Sequence, residues 1–221
     1  MGKKCNQESG LPRRSLSELL AMTESTTTPV IARSEATKQS TTLAVVGPMA
    51  SGKNYICTQL EQEGYTSIDA DILVHDAIEL VKDKILEKFV PYAEQQNLKL
   101  TNPDGTINRR ALGSLLFSFP ELLQIQESIV YPIIIQQIQD FINQHEKSII
   151  NATVLYKTPE LLQLCDKVIY VTAPFFKRLA RARSRDKLSL SQILKRFHAQ
   201  KNLLKEYQNL VPPEKIVVVK N

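Results

Sequence analysis

Gly47-Pro48-Met49-Ala50-Ser51-Gly52-Lys53-Asn54 sets two glycines and a lysine at the spacing of a loop that wraps a phosphate. In such a loop the backbone N–H groups converge on phosphate oxygens, the following helix presents its positive end, and the lysine ammonium reaches the β- and γ-phosphates. The expected nucleotide contacts are Gly47, Ala50, Ser51, Gly52, Lys53, Asn54 and Tyr55. Asn54 stands where a serine or threonine hydroxyl normally ligates Mg²⁺, and its side-chain carbonyl offers an oxygen instead. Pro48 brings no amide donor, and Ala50 occupies a place often held by glycine, so this loop has less conformational freedom than usual. Binding is better supported by these residue types than catalysis is. The bland alternative is a glycine turn with a solvated lysine.

Asp69-Ala70-Asp71 follows a predicted strand at its carboxyl end, where open α/β sheets place their ligands. Transfer of a phosphoryl group to a hydroxyl needs a carboxylate beside the acceptor oxygen, and Asp71 is the candidate base. Asp69 has a structural alternative as the cap of a helix starting near Ile72. Further on, Lys177, Arg178, Arg181, Arg183, Arg185 and Lys187 crowd one predicted helix. Arginines there could neutralise charge as a phosphoryl group moves, or the cluster could be a solvated face or a nucleic-acid patch. A helix expected over 191–207 carries Ile193, Phe197, Leu204 and Tyr207 on one face, with Gln200 as a polar member of that stripe and Arg196 one turn before it. Gln200 is either a core hydrogen-bonding group or a ligand contact.

Positioning these groups requires a strand entering the loop and a helix leaving it. Leu43–Val46 and the helical pattern over 55–62 supply both. Further β-rich runs at 65–68, 148–152, 168–171 and 216–219 alternate with helical stretches, which predicts a parallel sheet of five strands flanked by helices. Residues 72–146 contain no strand pattern and read as a helical insertion that binds substrate, and 177–190 as a lid. Within the insertion, Leu122, Ile125, Ile129, Ile133, Ile138 and Phe141 form the expected buried stripe, with Pro132 predicted to kink or divide the helix. Residues 1–41, rich in Ser, Thr and charged side chains, read as a disordered or loosely attached extension ahead of a domain over 42–221.

The 221 residues carry a net charge of +5, which suits anionic ligands, and a hydrophobic content of 43% supports a folded core. No apolar run approaches the roughly 20 residues of a membrane span. Cys5, Cys57 and Cys165 are scattered and odd in number, giving neither a disulfide framework nor a zinc spacing, so a cytoplasmic home is expected. His75, His145 and His198 are equally dispersed.

Taken together, the ordered motifs resemble those of dephospho-CoA kinases over about residues 43–221. They are the loop ending Ser51-Gly52-Lys53, Asp69-Ala70-Asp71 with His75 following, and Asp104-Gly105-Thr106-Ile107-Asn108-Arg109 with Leu112. Cys165-Asp166 before a strand, Arg181 with Arg185, and Arg196 with Gln200 complete the set. Four departures stand out. Asn54-Tyr55 replaces Ser-Thr in the loop, and Tyr131-Pro132 replaces a His-Pro pair. Asn151-Ala152-Thr153-Val154-Leu155-Tyr156-Lys157 replaces an Asp-x-Pro-Leu-Leu-x-Glu segment, losing both acids and the proline. The chain also stops at Asn221 without the final helix of many members.

The resemblance implies a P-loop fold like that of nucleoside monophosphate kinases, with core, cap and lid. It implies transfer of the γ-phosphoryl of ATP to the ribose 3′-hydroxyl of dephospho-CoA, with Mg²⁺. In that reading Lys53 and Arg181 meet ATP, Asp71 is the base, and Arg185 closes over the transferring group. Asp69, His75, Arg109 and Tyr131 face dephospho-CoA, and Asn54 is the metal contact. A monomer working on small molecules, without nucleic acid or membrane, is expected. The competing readings are a catalytically weakened nucleotide- or CoA-binding homologue and a P-loop kinase for another small acceptor.

Overall fold

The computed structural model describes residues 40–186 and 188–221. The extension read over 1–41 falls almost wholly outside the described residues, as does Lys187 of the basic cluster.

Five strands form one sheet: β1 (Thr41–Val46), β2 (Thr66–Asp69), β3 (Lys147–Ala152), β4 (Lys167–Thr172) and β5 (Ile216–Lys220). Their order is β2-β3-β1-β4-β5 and every pairing is parallel. β1 is the central strand, and its run Leu43–Val46 is buried on both faces, which explains its continuous apolar composition. The chain moves to one side of β1 for β2 and β3 and to the other for β4 and β5. The carboxyl end of β1 therefore lies at the reversal point, where α/β sheets open a crevice for ligands. Val46 is paired with Ala152 on one side and Tyr170 on the other, and Asp69 is paired with Asn151. Asp166 clamps the start of β1: its amide donates to the Thr42 carbonyl, and its carboxylate accepts the Thr42 amide, both at 2.8 Å.

Between β1 and β2 runs α1 (Lys53–Gln62), which buries Ile56, Cys57 and Leu60. Four helices separate β2 from β3: α2 (Ala70–Leu80), α3 (Lys82–Gln95), α4 (Arg109–Ser118) and α5 (Pro120–Gln144). Ile85, Phe89 and Ala93 of α3 recur every four residues and pack into the same core as Leu112 and Leu115 of α4. A short antiparallel bridge between Thr101 and Ile107 closes the turn before α4.

Two expectations change here. Pro132 does not divide its helix: α5 is one helix of 25 residues with Pro132 inside it. Of the predicted stripe, Leu122 and Ile138 are buried and Ile129 and Ile133 pack half-buried against the core, but between the two ends the buried positions are Gln126, Val130 and Ile134, one residue further on, and Ile125 is exposed. Apolar residues occupy most of the circumference from 129 to 138, so periodicity alone does not choose a face.

After β3 come a 3₁₀ turn at Leu155–Lys157 and the short α6 (Pro159–Gln163). After β4 come α7 (Phe175–Arg185), α8 (Leu190–Ala199) and α9 (Leu203–Leu210). The single helix expected over 191–207 is thus two, broken at Gln200, whose amide turns back to the Phe197 carbonyl. A small second core of Met49, Ala182, Ile193 and Phe197 sits beneath the loop that follows β1.

Candidate active site

The loop after β1 has the backbone shape its glycines permit. Gly47 has φ 150°, and a Cβ there would lie 2.2 Å from the Val171 carbonyl oxygen, so only glycine lets β1 leave the sheet beside β4. Gly52, at φ 98°, turns the chain into α1. Ala50 takes a left-handed conformation, φ 61°, without the freedom of glycine.

Side chains from distant elements hold this shape. Met49 buries its side chain in the small core, its amide donates to Gln200 Oε1 at 2.8 Å, and its carbonyl accepts from Arg178 Nε at 2.9 Å. The Arg178 guanidinium in turn stacks 4.1 Å from the centre of the Phe197 ring. Arg181 donates to the Ser51 carbonyl at 3.2 Å and to Asn221 Oδ1 at 3.4 Å, while Asn221 Nδ2 donates to the same Ser51 carbonyl at 3.3 Å. Between the open alternatives for Gln200, the structure shows a hydrogen bond to the loop. Buried Ser51 Oγ has no protein partner among the described residues.

Ala50, Ser51, Gly52, Lys53 and Asn54, with Arg181, Ser184 and Arg185 from α7, line a cleft of about 370 Å³. Arg185 grips Asp186 with two bonds of 2.8 and 2.9 Å, which hold its guanidinium at the cleft.

Lys53 donates to the Gly47 carbonyl and to Thr153 Oγ1, both at 3.0 Å. Burial lowers its ammonium pKa below the ordinary lysine value; Asp71 and Asp69 oppose that shift, and Arg185 adds to it. Thr153 Oγ1 donates to Asp71 Oδ2 at 3.0 Å, and the Thr153 amide contacts Asp71 Oδ1 at 3.5 Å. Asp69 Oδ1 caps α2 by accepting from the amides of Asp71 and Ile72. Its Oδ2 accepts from Asn151 Nδ2 at 3.0 Å, and the same amide donates to Asn54 Oδ1 at 3.1 Å. Lys53, Asn54, Asp69 and Asp71 are thus gathered at the carboxyl edge of the sheet by two residues of the β3 end, Asn151 and Thr153.

Asp71 also borders a small apolar pocket of about 50 Å³, walled by Val74 of α2, Tyr131, Ile134 and Ile138 of α5, and Leu155. The Tyr131 phenol pKa is raised by burial and by its neighbour and hydrogen-bond partner Glu127. Lys157, the basic residue in place of the family's acid, is ion-paired with Glu127.

His75 is exposed on α2, one turn beyond Asp71. Arg109 is exposed at the first turn of α4, behind an Asn108 cap that accepts the Ala111 amide at 3.1 Å. Among the described residues, neither is hydrogen-bonded or ion-paired to the loop. Tyr55 is exposed on α1 and touches Gln59.

A family model described as "Dephospho-CoA kinase" matches residues 41–209. The chain belongs to the dephospho-CoA kinase family.

It is 35% identical to the dephospho-CoA kinase of Treponema pallidum over 164 residues, 72% of this chain and 77% of that one. It is 36% identical to the dephospho-CoA kinase of Treponema denticola over 171 residues, 75% and 76% of the two chains. Two solved structures share its fold. One, from Thermus thermophilus, superimposes with a TM-score of 0.66 at 23% identity, covering 83% of this chain and 89% of that one. The other, the dephospho-CoA kinase from Campylobacter jejuni, gives 0.55 at 22% identity, covering 81% and 88%. In this dephospho-CoA kinase family member, Thr153 and Asn221 touch the candidate site residues Lys53, Asp71, Arg181 and Ser51, yet motif spacing did not single them out. Thr153 was recoverable in principle, since it follows a strand at the sheet's ligand-binding edge. Asn221 offered no local signal.

Proposed function

We propose that the protein transfers the γ-phosphoryl group of ATP to the ribose 3′-hydroxyl of dephospho-CoA, giving ADP and coenzyme A, the last step of coenzyme A synthesis. The observation that carries this reading is the line Lys53–Thr153–Asp71, which joins the phosphate loop to a carboxylate bordering a separate apolar pocket. Phosphate binds the loop amides and the positive end of α1, and Lys53 exchanges the Gly47 carbonyl for β- and γ-phosphate oxygens. Because the Lys53 charge is disfavoured by burial, an incoming phosphate gains an ammonium that water does not shield.

At the other side of the cleft, Arg181 secures the loop and Arg185 faces the oxygens that gain charge during transfer. Asp71 orients the acceptor hydroxyl and receives its proton as the new oxygen–phosphorus bond forms and the bond to the leaving ADP oxygen breaks. Asp69, His75, Arg109 and Tyr131 are the proposed acceptor contacts, with Tyr131 and Asp71 sharing the apolar pocket.

The oxygens present also suit Mg²⁺, which favours hard oxygen ligands and travels with the nucleotide phosphates. Asn54 Oδ1 and Asp69 Oδ2 lie side by side on one amide donor, and each keeps a free lone pair. These two residues would hold the ion, which when bound would neutralise charge on the phosphate oxygens.

The test is ADP release from ATP with and without dephospho-CoA, with the mass of the product determined. Acceptor-dependent turnover that disappears in Lys53→Ala is the expected result. Asp71→Asn is expected to lower kcat by about 10²–10⁴ while ATP affinity stays within about twofold. Nucleotide binding without product would instead favour a catalytically weakened homologue.

A further inference from the structure

We infer that Thr153 is a positioning residue of the reaction: it orients the Asp71 carboxylate for proton transfer and stores the Lys53 ammonium beside it until phosphate arrives. The inference rests on the kinase reading above.

Thr153 follows immediately on the last residue of β3, at the ligand edge of the sheet. A hydroxyl carries one hydrogen and two lone pairs. Here the hydrogen serves Asp71 Oδ2 at 3.0 Å, and a lone pair takes Lys53 Nζ at 3.0 Å. The amide of the same residue faces the other carboxylate oxygen, Oδ1, at 3.5 Å. Both oxygens of Asp71 are therefore turned toward one residue. Otherwise the Asp71 side chain sits exposed in the first turn of α2, where it could rotate freely.

The clamp is itself anchored. The Thr153 carbonyl accepts from Tyr207 Oη at 3.1 Å, and Tyr207 is fully buried, with edge-on contacts to Tyr156 and Tyr170. The position of Asp71 is thus referred back to β4 and α9 rather than to its own exposed helix turn. In the family pattern described above this position is a proline, which has neither an amide hydrogen nor a hydroxyl. The clamp belongs to this chain.

The division of labour between the two oxygens follows from the distances. When Lys53 moves to phosphate it releases only a lone pair of Thr153, so the hydroxyl hydrogen stays on Oδ2. Oδ1, which among the described residues has the long amide contact alone, is the oxygen that accepts the acceptor proton. The O–H bond of the acceptor breaks, its oxygen bonds to phosphorus, and ADP leaves with the electron pair of the broken phosphorus–oxygen bond.

Full steady-state kinetics of the intact protein with ATP, Mg²⁺ and dephospho-CoA test this in four variants. Thr153→Val keeps the side-chain shape and is expected to lower kcat about 10- to 100-fold, with both KM values within about twofold. Thr153→Ser, which restores the hydroxyl, is expected to stay within about threefold of the parent kcat. In an Asp71→Asn background, adding Thr153→Val should change the residual rate by less than about twofold, because the oriented group is already gone. Thermal melting of each variant separates this from loss of fold. An unchanged kcat in Thr153→Val, equal damage from Ser and Val, or a full further loss in the Asp71→Asn background would each overturn the inference. A parent protein with no acceptor-dependent ADP would overturn the kinase reading together with it. An active parent with an unimpaired Thr153→Val overturns the positioning role alone.

Discussion

Asn151 Nδ2 lies 3.1 Å from Asn54 Oδ1, so an amide on β3 donates to a carbonyl on the first turn of α1. In the pattern the chain resembles, position 54 is a hydroxyl and position 151 a carboxylate, so a bond between them would have its donor on the opposite partner. Both residues differ here, and donor and acceptor types are exchanged together, so the two substitutions are chemically matched. Asn151→Asp would remove the donor and set a second carboxylate near Asp69 Oδ2, now bonded to Asn151 at 3.0 Å. It is expected to cost about 1–3 kcal/mol in denaturant unfolding. Adding Asn54→Ser restores a donor, and a double-mutant cycle should return about 1 kcal/mol of coupling.

Arg181 and Arg185 share the cleft but differ in what they hold. Arg181 bonds to the loop backbone, so Arg181→Ala should raise the KM for ATP about tenfold by loosening the loop. Arg185, among the described residues, bonds to Asp186 and lines the cleft without bonding the loop. Arg185→Ala should lower kcat by about 10²–10³ with a smaller change in KM. Initial rates over a matrix of both substrates separate the two effects.

The depressed pKa of Lys53 has a stability consequence with a definite sign. A folded pKa below the unfolded value of 10.5 means that the folded protein binds this proton less tightly. Below the folded pKa the charge is a cost to the fold, and the cost fades as pH rises through that value toward 10.5. Lys53→Met should therefore melt higher than the parent at neutral pH, by about 1–3 °C, although it is inactive. Between neutral pH and pH 10 the gap in melting temperature should shrink. A gap that widens with pH would contradict the assignment.

Burial pushes the Cys57 and Cys165 thiols up to about 12, with Glu61 and Asp69 adding to the shift at Cys57 and Asp166 at Cys165. Neither is a thiolate at neutral pH. Iodoacetamide at pH 7.5 should leave both unmodified in the native protein and label both in urea, as read by peptide mass.

Gly47→Ala would drive a methyl group against the Val171 carbonyl, which is backbone and has little room to yield. The expected loss is about 2–4 kcal/mol of stability, together with nucleotide binding, measured by thermal shift with and without ATP.

Much of this molecule is legible in its amino-acid order, because the signals involved are local. The run Leu43–Val46, the glycines at 47 and 52 and the lysine at 53 specify strand, phosphate loop and helix within a dozen residues. The five strands lie within one or two residues of where β-rich runs place them, and for the inner strands β1, β3 and β4 burial on both faces demands the continuous apolar stretch. Asp69 and Asp71 are legible as cap and candidate base from their place at the carboxyl end of β2 and just beyond it.

What only the tertiary structure decided is whatever depends on partners far away in the chain. The phase of α5 is set by what it packs against, and its own apolar residues on several faces left that open. The break between α8 and α9 falls at Gln200, whose side chain bonds to the Met49 amide 151 positions earlier. The assignment of Thr153 to Asp71, 82 positions apart, follows from the parallel pairing of β2 with β3, which brings two carboxyl ends together. A strand's local pattern reports that it is buried, but its neighbours are chosen by the packing of the whole sheet. The residues that join one strand end to another therefore become visible only once the chain has folded.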